Sequence, residues 1–291
     1  MASCESCPSK NSCPSVGQDT CPPEQNQNAR QNQAPSLEAL HDLAQVRSVI
    51  GVCSGKGGVG KSLVTSLLAH ELAQQGLTVG ILDADITGPS IPRIFGLSGR
   101  LSGTENGIFP AQSHQGIQIV SINLMLDNPE SPVLWRGPII SGIVKQFWTD
   151  VIWDTLDVLL IDLPPGTGDV PLTVFQSIPL DGIFVVSTPQ DLVSMIVKKA
   201  ENMATMMGVR IFGLIENMSY ISCPDCDHEI KLFGEGQTAA AAAKMNIPLF
   251  ARIPVDPVIA GLCDAGALEN YTVERLPEAT RFIHELLSTK P

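Results

Sequence analysis

Residues 55–62 combine glycines, two lysines and a hydroxyl at the spacing of a phosphate-binding loop. They read Gly-Lys-Gly-Gly-Val-Gly-Lys-Ser and fit the pattern G-x-x-x-x-G-K-[ST]. In such a loop the backbone N–H groups converge on a phosphate, Lys61 reaches the β- and γ-phosphates, and the Ser62 hydroxyl ligates Mg²⁺. The predicted nucleotide-binding residues of this segment are Gly55, Lys56, Gly57, Gly58, Val59, Gly60, Lys61, Ser62 and Leu63.

Two further segments end in carboxylates that a nucleotide site could use. One apolar run leads to Asp83 and Asp85, and a second leads to Asp162. Acids at the C-terminal ends of parallel strands lie on the ligand side of the sheet. Asp162 fits the Walker B pattern and, together with Ser62 and Asp83, is predicted to hold Mg²⁺. Asp85 is predicted to face the γ-phosphate and its attacking water.

A pair of cysteines, Cys223 and Cys226, provides a second kind of chemistry. Two thiolates at this spacing can bind two corners of a tetrahedral metal or of an iron–sulfur cluster, but they cannot complete a four-ligand site. Another segment must therefore contribute, or two chains must each donate a pair. His228 is a candidate third ligand for zinc. A redox pair and a simple reduced turn are the remaining alternatives, although this pair does not open a helix as a thioredoxin-like motif does.

Four more cysteines lie in the first 35 residues, which are rich in Ser, Pro, Gln and Asn. These residues are predicted to form a flexible tail, because they contain too few large apolar side chains to fold alone. The spacing C-x2-C-x5-C-x7-C suits zinc or a [4Fe–4S] cluster, and incidental thiols are the alternative. The four candidate ligands are Cys4, Cys7, Cys13 and Cys21.

The remaining residues, 36–291, are predicted to form one ATPase domain that positions these groups. Apolar strands alternate with helical segments, which predicts an α/β fold: a doubly wound, mostly parallel sheet with helices on both faces. A short helix is predicted over 37–43. Asn217 follows a strand predicted over 209–215 and could hydrogen-bond adenine through its side-chain amide, or simply form a turn.

Composition restricts the class of partner. The chain has 291 residues, a formal net charge of −12 and an isoelectric point near 4.8, which argue against binding to nucleic acid or to an anionic membrane. No apolar stretch reaches the length of a transmembrane helix, and the N-terminus has no apolar signal region. We therefore expect a cytoplasmic protein, in which eight cysteines serve as metal ligands or reduced thiols.

The second lysine of the loop, Lys56, gives the pattern K-G-G-x-G-K-[ST]. This pattern resembles the deviant phosphate loop of the dimeric ATPases that include the nitrogenase iron protein and the septum-site and chromosome-partitioning ATPases. The resemblance implies that the chain forms a homodimer, or a heterodimer with a related ATPase. It also implies catalytic roles for Lys61, for Lys56 acting on the partner's nucleotide, and for Asp85, which positions or deprotonates the attacking water.

A longer series of motifs resembles the Mrp/ApbC family of ATP-binding iron–sulfur cluster carriers, over about residues 47–270. Besides the phosphate loop, it consists of the segments at 82–92, 135–138, 164–169, 216–219 and 223–226. The resemblance implies a homodimer that binds a labile [4Fe–4S] cluster between two CxxC pairs, hydrolyses ATP slowly and delivers the cluster to apo-proteins. It also implies that a late loop, with Pro254 and Asp256, flanks the adenine.

The tail resembles the branch of this family that has a second cluster near the N-terminus. Cys4, Cys7 and Cys13 match that branch's C-x2-C-x5-C run, its upstream cysteine has no counterpart, and Cys21 is the remaining candidate.

Two other functions use the same fold: a partitioning or positioning ATPase with a structural zinc, and an ATP-driven electron-transfer protein. The acidic charge and the Cys223/Cys226 pair favour the cluster carrier, with ATP, Mg²⁺ and a [4Fe–4S] cluster as its cofactors.

Overall fold

The computed structural model describes residues 37–85, 88, 90–126, 137–189, 193–226, 228–234 and 236–290. The tail, with Cys4, Cys7, Cys13 and Cys21, lies outside the described residues. Its boundary at residue 35 and its metal ligands therefore stay predictions.

The described residues form twelve strands and eight α-helices. The strands are β1 Gln45–Cys53, β2 Val79–Asp83, β3 Gly103–Thr104, β4 Gly107–Ile108, β5 Ala111–Gln112, β6 Gln118–Ser121, β7 Thr155–Asp162, β8 Gly182–Ser187, β9 Ile211–Glu216, β10 Ile221–Ser222, β11 Glu229–Ile230 and β12 Leu249–Arg252. The helices are α1 Lys61–Gln74, α2 Ile91–Ile94, α3 Gly137–Thr149, α4 Asp169–Ser177, α5 Val193–Met207, α6 Thr238–Lys244, α7 Pro257–Asp264 and α8 Pro277–Ser288.

Eight of the strands in the described part of the chain form one sheet, in the order β12-β9-β8-β1-β7-β2-β6-β5. Neighbouring strands are parallel except β5 and β6 at one edge, which are antiparallel. The inner strands are continuous apolar runs, because helices cover a parallel sheet on both faces. In β1, for example, every residue from Ser48 to Cys53 is buried. The predicted mostly parallel α/β fold is confirmed.

Two hydrophobic cores occupy the opposite faces of this sheet. One is formed with side chains of α3, α4, α5 and α6, among them Val144, Phe147 and Trp148, whose i, i+3, i+4 spacing follows the helical period along α3. The other is formed with α1, α2, α7 and α8, and α8 adds Phe282 to an aromatic cluster with Phe184, Phe212 and Phe250. Burial on both faces fixes the C-terminal edge of the sheet, where the predicted site residues lie.

Two short hairpins stand apart from the sheet. Strands β3 and β4 pair antiparallel, and so do β10 and β11, which flank the Cys223/Cys226 turn. No helix in the described part of the chain combines the length and the apolar character that crossing a bilayer requires.

The helix predicted over 37–43 is wrong. Leu37 and Leu43 are 57% and 63% exposed and only Leu40 of the three leucines packs against the core, so the segment lacks the buried apolar face that stabilises a short helix. Contacts with distant residues hold the segment instead: Trp148 Nε1 donates to the Glu38 carbonyl at 3.0 Å, and His41 Nε2 lies 2.7 Å from the Asn106 carbonyl.

Candidate functional site

The site lies where three neighbouring strands end. In the register of the sheet, Val52 of β1 is paired with Asp162 of β7, and Asp162 is in turn paired with Asp83 of β2. The chain leaves β1 as the phosphate loop, so this loop begins beside the two carboxylates. Strand pairing, rather than proximity along the sequence, brings them together.

The phosphate loop has the conformation that its glycines permit. Gly58 and Gly60 have φ values of 77° and 78°, in the left-handed region that disfavours a side chain. Gly60 directly precedes α1, whose first residue is Lys61. The N–H groups at the start of this helix therefore point into the loop, which is the arrangement that binds phosphate at helix N-termini.

A cleft of about 420 Å³ opens over the loop. Its floor is formed by Lys56 and the residues that follow it as far as Leu63, and Asp85 and Pro165 lie at its sides. The opposite wall comes from helices α2 and α7. The wall residues are Ile94, Ala260, Cys263 and Asp264.

Lys61 links the loop to the acids. Its Nζ lies 2.7 Å from Asp162 Oδ1 and 3.5 Å from Asp85 Oδ2, and its side chain is only 5% exposed. Asp162 also accepts hydrogen bonds from Ser62 Oγ at 2.5 Å and Thr65 Oγ1 at 3.0 Å. Burial raises the pKa of Asp162, whereas the Lys61 ammonium and these two hydroxyls lower it. Burial is the larger effect, so the pKa of Asp162 stays above the usual value for a carboxyl group.

Asp83 has a different environment. Burial, followed by the charge of Asp162, raises its pKa to about 8. Its Oδ2 accepts from Ser121 Oγ at 3.0 Å, and its Oδ1 accepts from the Asp85 N–H at 3.1 Å. Ser62, Asp83 and Asp162 together offer hydroxyl and carboxylate oxygens, the hard donors that Mg²⁺ takes, so this donor set fits the predicted ion.

Gly55 and Asn217 lie outside the main cleft. Gly55 lines a separate cavity of about 80 Å³ together with Cys53. Asn217 is 2% exposed, and its Nδ2 donates to the Val59 carbonyl at 2.9 Å, so its amide supports the phosphate loop from below. A Cβ on Gly60 would overlap with this same amide nitrogen. The predicted contact of Asn217 with adenine stays a prediction.

Pro254 and Asp256 lie in the loop before α7. Pro254 is buried, and Asp256 caps α7, because its Oδ1 accepts from the Val258 N–H at 2.9 Å. Asp256 Oδ2 also accepts from Tyr271 Oη and from Arg275 Nη2, both at 2.8 Å. Although partial burial raises the pKa of Asp256, these donors hold it below its usual value. In this structure the Asp256 carboxylate orients the helix that walls the cleft.

The cysteine hairpin follows β9 in the chain, on the side of the sheet where β1 and β7 also end. The Cys223 N–H donates to the His228 carbonyl at 2.9 Å and closes the turn. Cys223 is half-buried and Cys226 is exposed. Hydrogen bonds from the Asp225 N–H, the Cys226 thiol and the Cys226 N–H lower the pKa of Cys223, which favours its thiolate. By contrast, burial raises the pKa of Cys53 to about 12.

No group of three His, Cys, Asp or Glu side chains that could hold a metal ion occurs among the described residues. His228 therefore does not complete a zinc site with Cys223 and Cys226 in this structure. The two thiols provide half of a four-ligand site.

Sequence reasoning missed two groups of site residues. Thr65 and Ser121, which hold Asp162 and Asp83, are small hydroxyls whose partners are distant in the chain. Only one sequence feature indicated the wall residues of α7: Pro257, a residue typical of the first position of a helix, follows directly after the predicted adenine loop.

Comparison with known proteins agrees with this geometry. The family model described as "ParA: NUBPL iron-transfer P-loop NTPase" matches residues 45–287. A protein of Clostridium perfringens (strain 13 / Type A) named iron-sulfur cluster carrier protein is 40% identical over 282 residues, which are 94% of this chain and 96% of the relative. A carrier of the same name from Methanocaldococcus jannaschii is 43% identical over 256 residues, 87% of this chain and 84% of the relative.

Solved structures give the same result. A nucleotide-binding protein from Archaeoglobus fulgidus, solved in complex with ADP, superposes with a TM-score of 0.72 at 44% identity, over 79% of this chain and 90% of that one. The septum site-determining protein MinD from Pyrococcus horikoshii OT3 superposes with a TM-score of 0.54 at 21% identity, over 83% of this chain and 96% of that one. The second likeness concerns the fold alone.

The family match, over residues 45–287, spans the phosphate loop, both acidic strand ends and the cysteine hairpin, and it confirms the resemblance that the motifs indicated. The chain belongs to the NUBPL iron-transfer P-loop NTPase family.

Proposed function

We propose that this protein is an ATP-dependent carrier that binds a [4Fe–4S] cluster through Cys223 and Cys226 and transfers it to apo-proteins. The observation that carries the proposal is the hairpin itself, because after the end of β9 it presents an exposed thiol, Cys226, beside Cys223, whose thiolate is favoured. The names of the relatives from Clostridium perfringens and Methanocaldococcus jannaschii support this function.

The nucleotide end of the mechanism uses groups that are already positioned. The N–H groups of the loop and of the start of α1 receive the phosphates, and Lys61 neutralises charge on the transferring phosphoryl group. Ser62, Asp83 and Asp162 would hold Mg²⁺, which would supply positive charge against the charge that develops on the phosphoryl group. Asp85 orients the attacking water and accepts its proton. Hydrolysis by this arrangement is expected to be slow.

The cluster end needs a second copy of the chain. One hairpin supplies two thiolates, and a [4Fe–4S] cluster takes four, so two hairpins related by a two-fold axis complete the site. The same dimer brings Lys56, which is exposed on the loop, toward the partner's nucleotide. The cluster is therefore held between protomers whose approach depends on nucleotide. A heterodimer with a related ATPase satisfies the same requirement.

Two further parts of the proposal concern the tail and the setting. Cys4, Cys7, Cys13 and Cys21 hold a second metal group, and the protein acts in the cytoplasm. The acidic charge of the chain, −12, supports protein partners over nucleic acid or anionic membrane.

Anaerobic reconstitution with iron and sulfide tests the proposal. We expect iron binding and broad absorption near about 400 nm, typical of [4Fe–4S]–thiolate ligation. The double variant Cys223→Ser/Cys226→Ser should lose the share that the hairpin binds, whereas Cys263→Ser, a matched single cysteine on α7, should not. A variant with all four tail cysteines replaced by serine shows how much of the bound iron and of the absorption depends on the tail.

Two outcomes oppose the proposal. A colourless protein that binds no iron but retains zinc would favour a positioning ATPase with a structural zinc. A cluster that stays bound through repeated reduction and oxidation, and is not transferred to an apo-ferredoxin, would favour electron transfer.

A further inference from the structure

A short segment, 216–222, joins the phosphate loop to the cysteine hairpin. At its start, Asn217 is attached to two elements: its N–H donates to the Ser187 carbonyl at 2.8 Å, and its side chain donates to the Val59 carbonyl at 2.9 Å. At its end, Cys223 lies four residues after Ser219. A movement of the phosphate loop therefore acts on the root of the hairpin through few bonds.

The backbone of this segment turns sharply at Met218. Met218 has a φ of 55°, a left-handed conformation that is uncommon for a side chain of this kind. The turn directs the Asn217 amide toward the phosphate loop and the Ser219 hydroxyl back toward β9. Residues held in such conformations persist where the surrounding contacts fix them.

Three side chains fix the segment beyond the turn. Ser219 Oγ donates to Glu216 Oε1, and Arg252 Nε lies 3.2 Å from Glu216 Oε1 and 3.1 Å from Ser219 Oγ. Ser219 and Glu216 are 1% and 2% exposed, so water competes little for these hydrogen bonds. We name Glu216, Ser219 and Arg252 the clasp.

The clasp and the residues beside it contact the chain both before and after the hairpin. On the outgoing side, the Ser219 N–H donates to the Ile253 carbonyl and the Val255 N–H donates to the Tyr220 carbonyl, both at 2.8 Å. On the returning side, Gly236 packs so closely that a Cβ there would lie 3.0 Å from Glu216 Oε2. The hairpin thus has an anchored root and an exposed tip.

We infer that Ser219 is a positioning residue, which through the clasp makes the reactivity of Cys223 and Cys226 depend on the nucleotide at the phosphate loop. The inference deepens the proposed function, since it names the residues through which nucleotide acts on the thiols. While the clasp holds the start of the hairpin, a displacement of Asn217 is transmitted to the cysteine turn. When the clasp is broken, the displacement is absorbed between Met218 and Ser222.

Alkylation of the full-length, cluster-free protein by iodoacetamide tests this inference. The rate at Cys223 and Cys226 is followed by peptide mass spectrometry, without nucleotide and with saturating ADP or a non-hydrolysable ATP analogue. We expect nucleotide to change the wild-type rate by at least about fivefold, the lower end of coupling between two sites. In Ser219→Ala the change should fall below about twofold while the Kd for ADP stays within about twofold of wild type.

Three variants complete the design. Ser288→Ala, an exposed serine at the end of α8, is the matched control and should keep the wild-type ratio. Glu216→Gln retains an acceptor for the Ser219 hydroxyl and should keep most of the ratio. If Ser219→Ala does not fold, Arg252→Gln replaces it, because the Arg252 side chain is 41% exposed and tolerates change.

The inference would be overturned if Ser219→Ala kept the wild-type ratio of alkylation rates with and without nucleotide. It would also be overturned if nucleotide did not change the alkylation rate of the wild-type protein. The proposed function is judged separately, because iodoacetamide reports on the thiols without any cluster. If reconstitution failed, the proposed function would lose its cluster, but the alkylation result would still hold. If the alkylation test failed, a successful reconstitution would still support the proposed function.

Discussion

The phosphate loop and the cysteine hairpin belong to the same edge of the molecule but are built in different ways. At the phosphate loop, Lys61 and the neighbouring strand-end residues Asp83 and Asp162 are at most 5% exposed, and each carboxylate has at least two hydrogen-bond donors. In the hairpin, two strands of two residues each support a turn whose Cys226 is exposed.

This difference matches the chemistry of each region. Stabilising a transition-state charge requires groups that are fixed and dry before the reaction, because reorganisation costs free energy at that moment. Exchanging a ligand between proteins requires thiols that a partner can reach. Lys61 and the two carboxylates are therefore buried whereas the tip of the hairpin is exposed, and the following predictions test that contrast in order of expected effect.

The largest contrast is between two cysteines. At pH 8 a thiol with a pKa of about 12 is ionised in about one molecule in 10⁴, so Cys53 should hardly react with iodoacetamide. Hydrogen bonds lower the pKa of Cys223 from 9.0, which puts more than about a tenth of it in the thiolate form at pH 8. We expect Cys223 to react at least about 10³ times faster than Cys53.

Peptide mass spectrometry after timed alkylation between pH 6 and pH 9 measures both rates. Because donors favour the thiolate, the rate at Cys223 should rise below the pH at which a free cysteine titrates. A rate at Cys223 that rises only at the upper end of this range, as for a free cysteine, would contradict the hydrogen-bonded turn.

The next effect concerns Lys61. Lys61→Ala removes the ammonium that is in contact with Asp162 and is predicted to reach the phosphates, so ATP hydrolysis should fall about 10²-fold or more. Lys244→Ala, at the exposed end of α6, is the matched control and should hydrolyse ATP at the wild-type rate. Hydrolysis by Lys61→Ala at the rate of this control would remove the loop from the nucleotide site.

A pair of glycines separates backbone strain from packing. Gly60 and Gly76 both have left-handed φ values, 78° and 88°, so alanine costs about 1–2 kcal/mol at either position. A Cβ on Gly60 also overlaps with the Asn217 amide, whereas Gly76 has nothing within 4 Å. We expect Gly60→Ala to lower the free energy of unfolding by a further 1–3 kcal/mol or so.

Urea unfolding of the two glycine variants measures the difference. Equal losses would mean that Asn217 moves away at no cost, and the support of the loop by Asn217 would then be weak.

The smallest effect is expected at the hairpin. Cys223→Ser/Cys226→Ser should change the free energy of unfolding by less than about 0.5 kcal/mol, as surface substitutions usually do. Cys53→Ser places a hydroxyl in the core and should cost about 1–3 kcal/mol. A large loss of stability in the double variant, measured by the same urea unfolding, would show that the turn is part of the folded framework.

The sequence predicted best what is encoded locally. The glycine spacing of 55–62 determined the loop, and apolar runs that end in acids located Asp83 and Asp162 at strand ends. Parallel pairing then places those ends together on one sheet edge, which is a property of the fold class.

What the sequence did not predict depends on tertiary contacts. Nothing near Thr65 or Ser121 indicates that their hydroxyls meet carboxylates more than thirty residues away. The segment at 37–43 has helix-forming residues, yet contacts of Glu38 and His41 with distant backbone and side chains decide its conformation. The clasp was equally invisible, since Arg252 comes beside Glu216 only through the pairing of β12 with β9.

The pairing of β1 also determines when the protein can become active during its synthesis. Strand β1 is made early, but its partner β7 is made more than a hundred residues later, as the pairing of Gln45 with Thr155 records. A nascent chain that ends before Asp162 therefore has the loop sequence without the site. The hairpin, where Ile221 pairs with Ile230, needs only ten residues to close. Because translation proceeds from the N-terminus, each ribosome makes the phosphate loop and both acidic strand ends before the thiols at 223 and 226, and makes the α7 wall of the cleft after them.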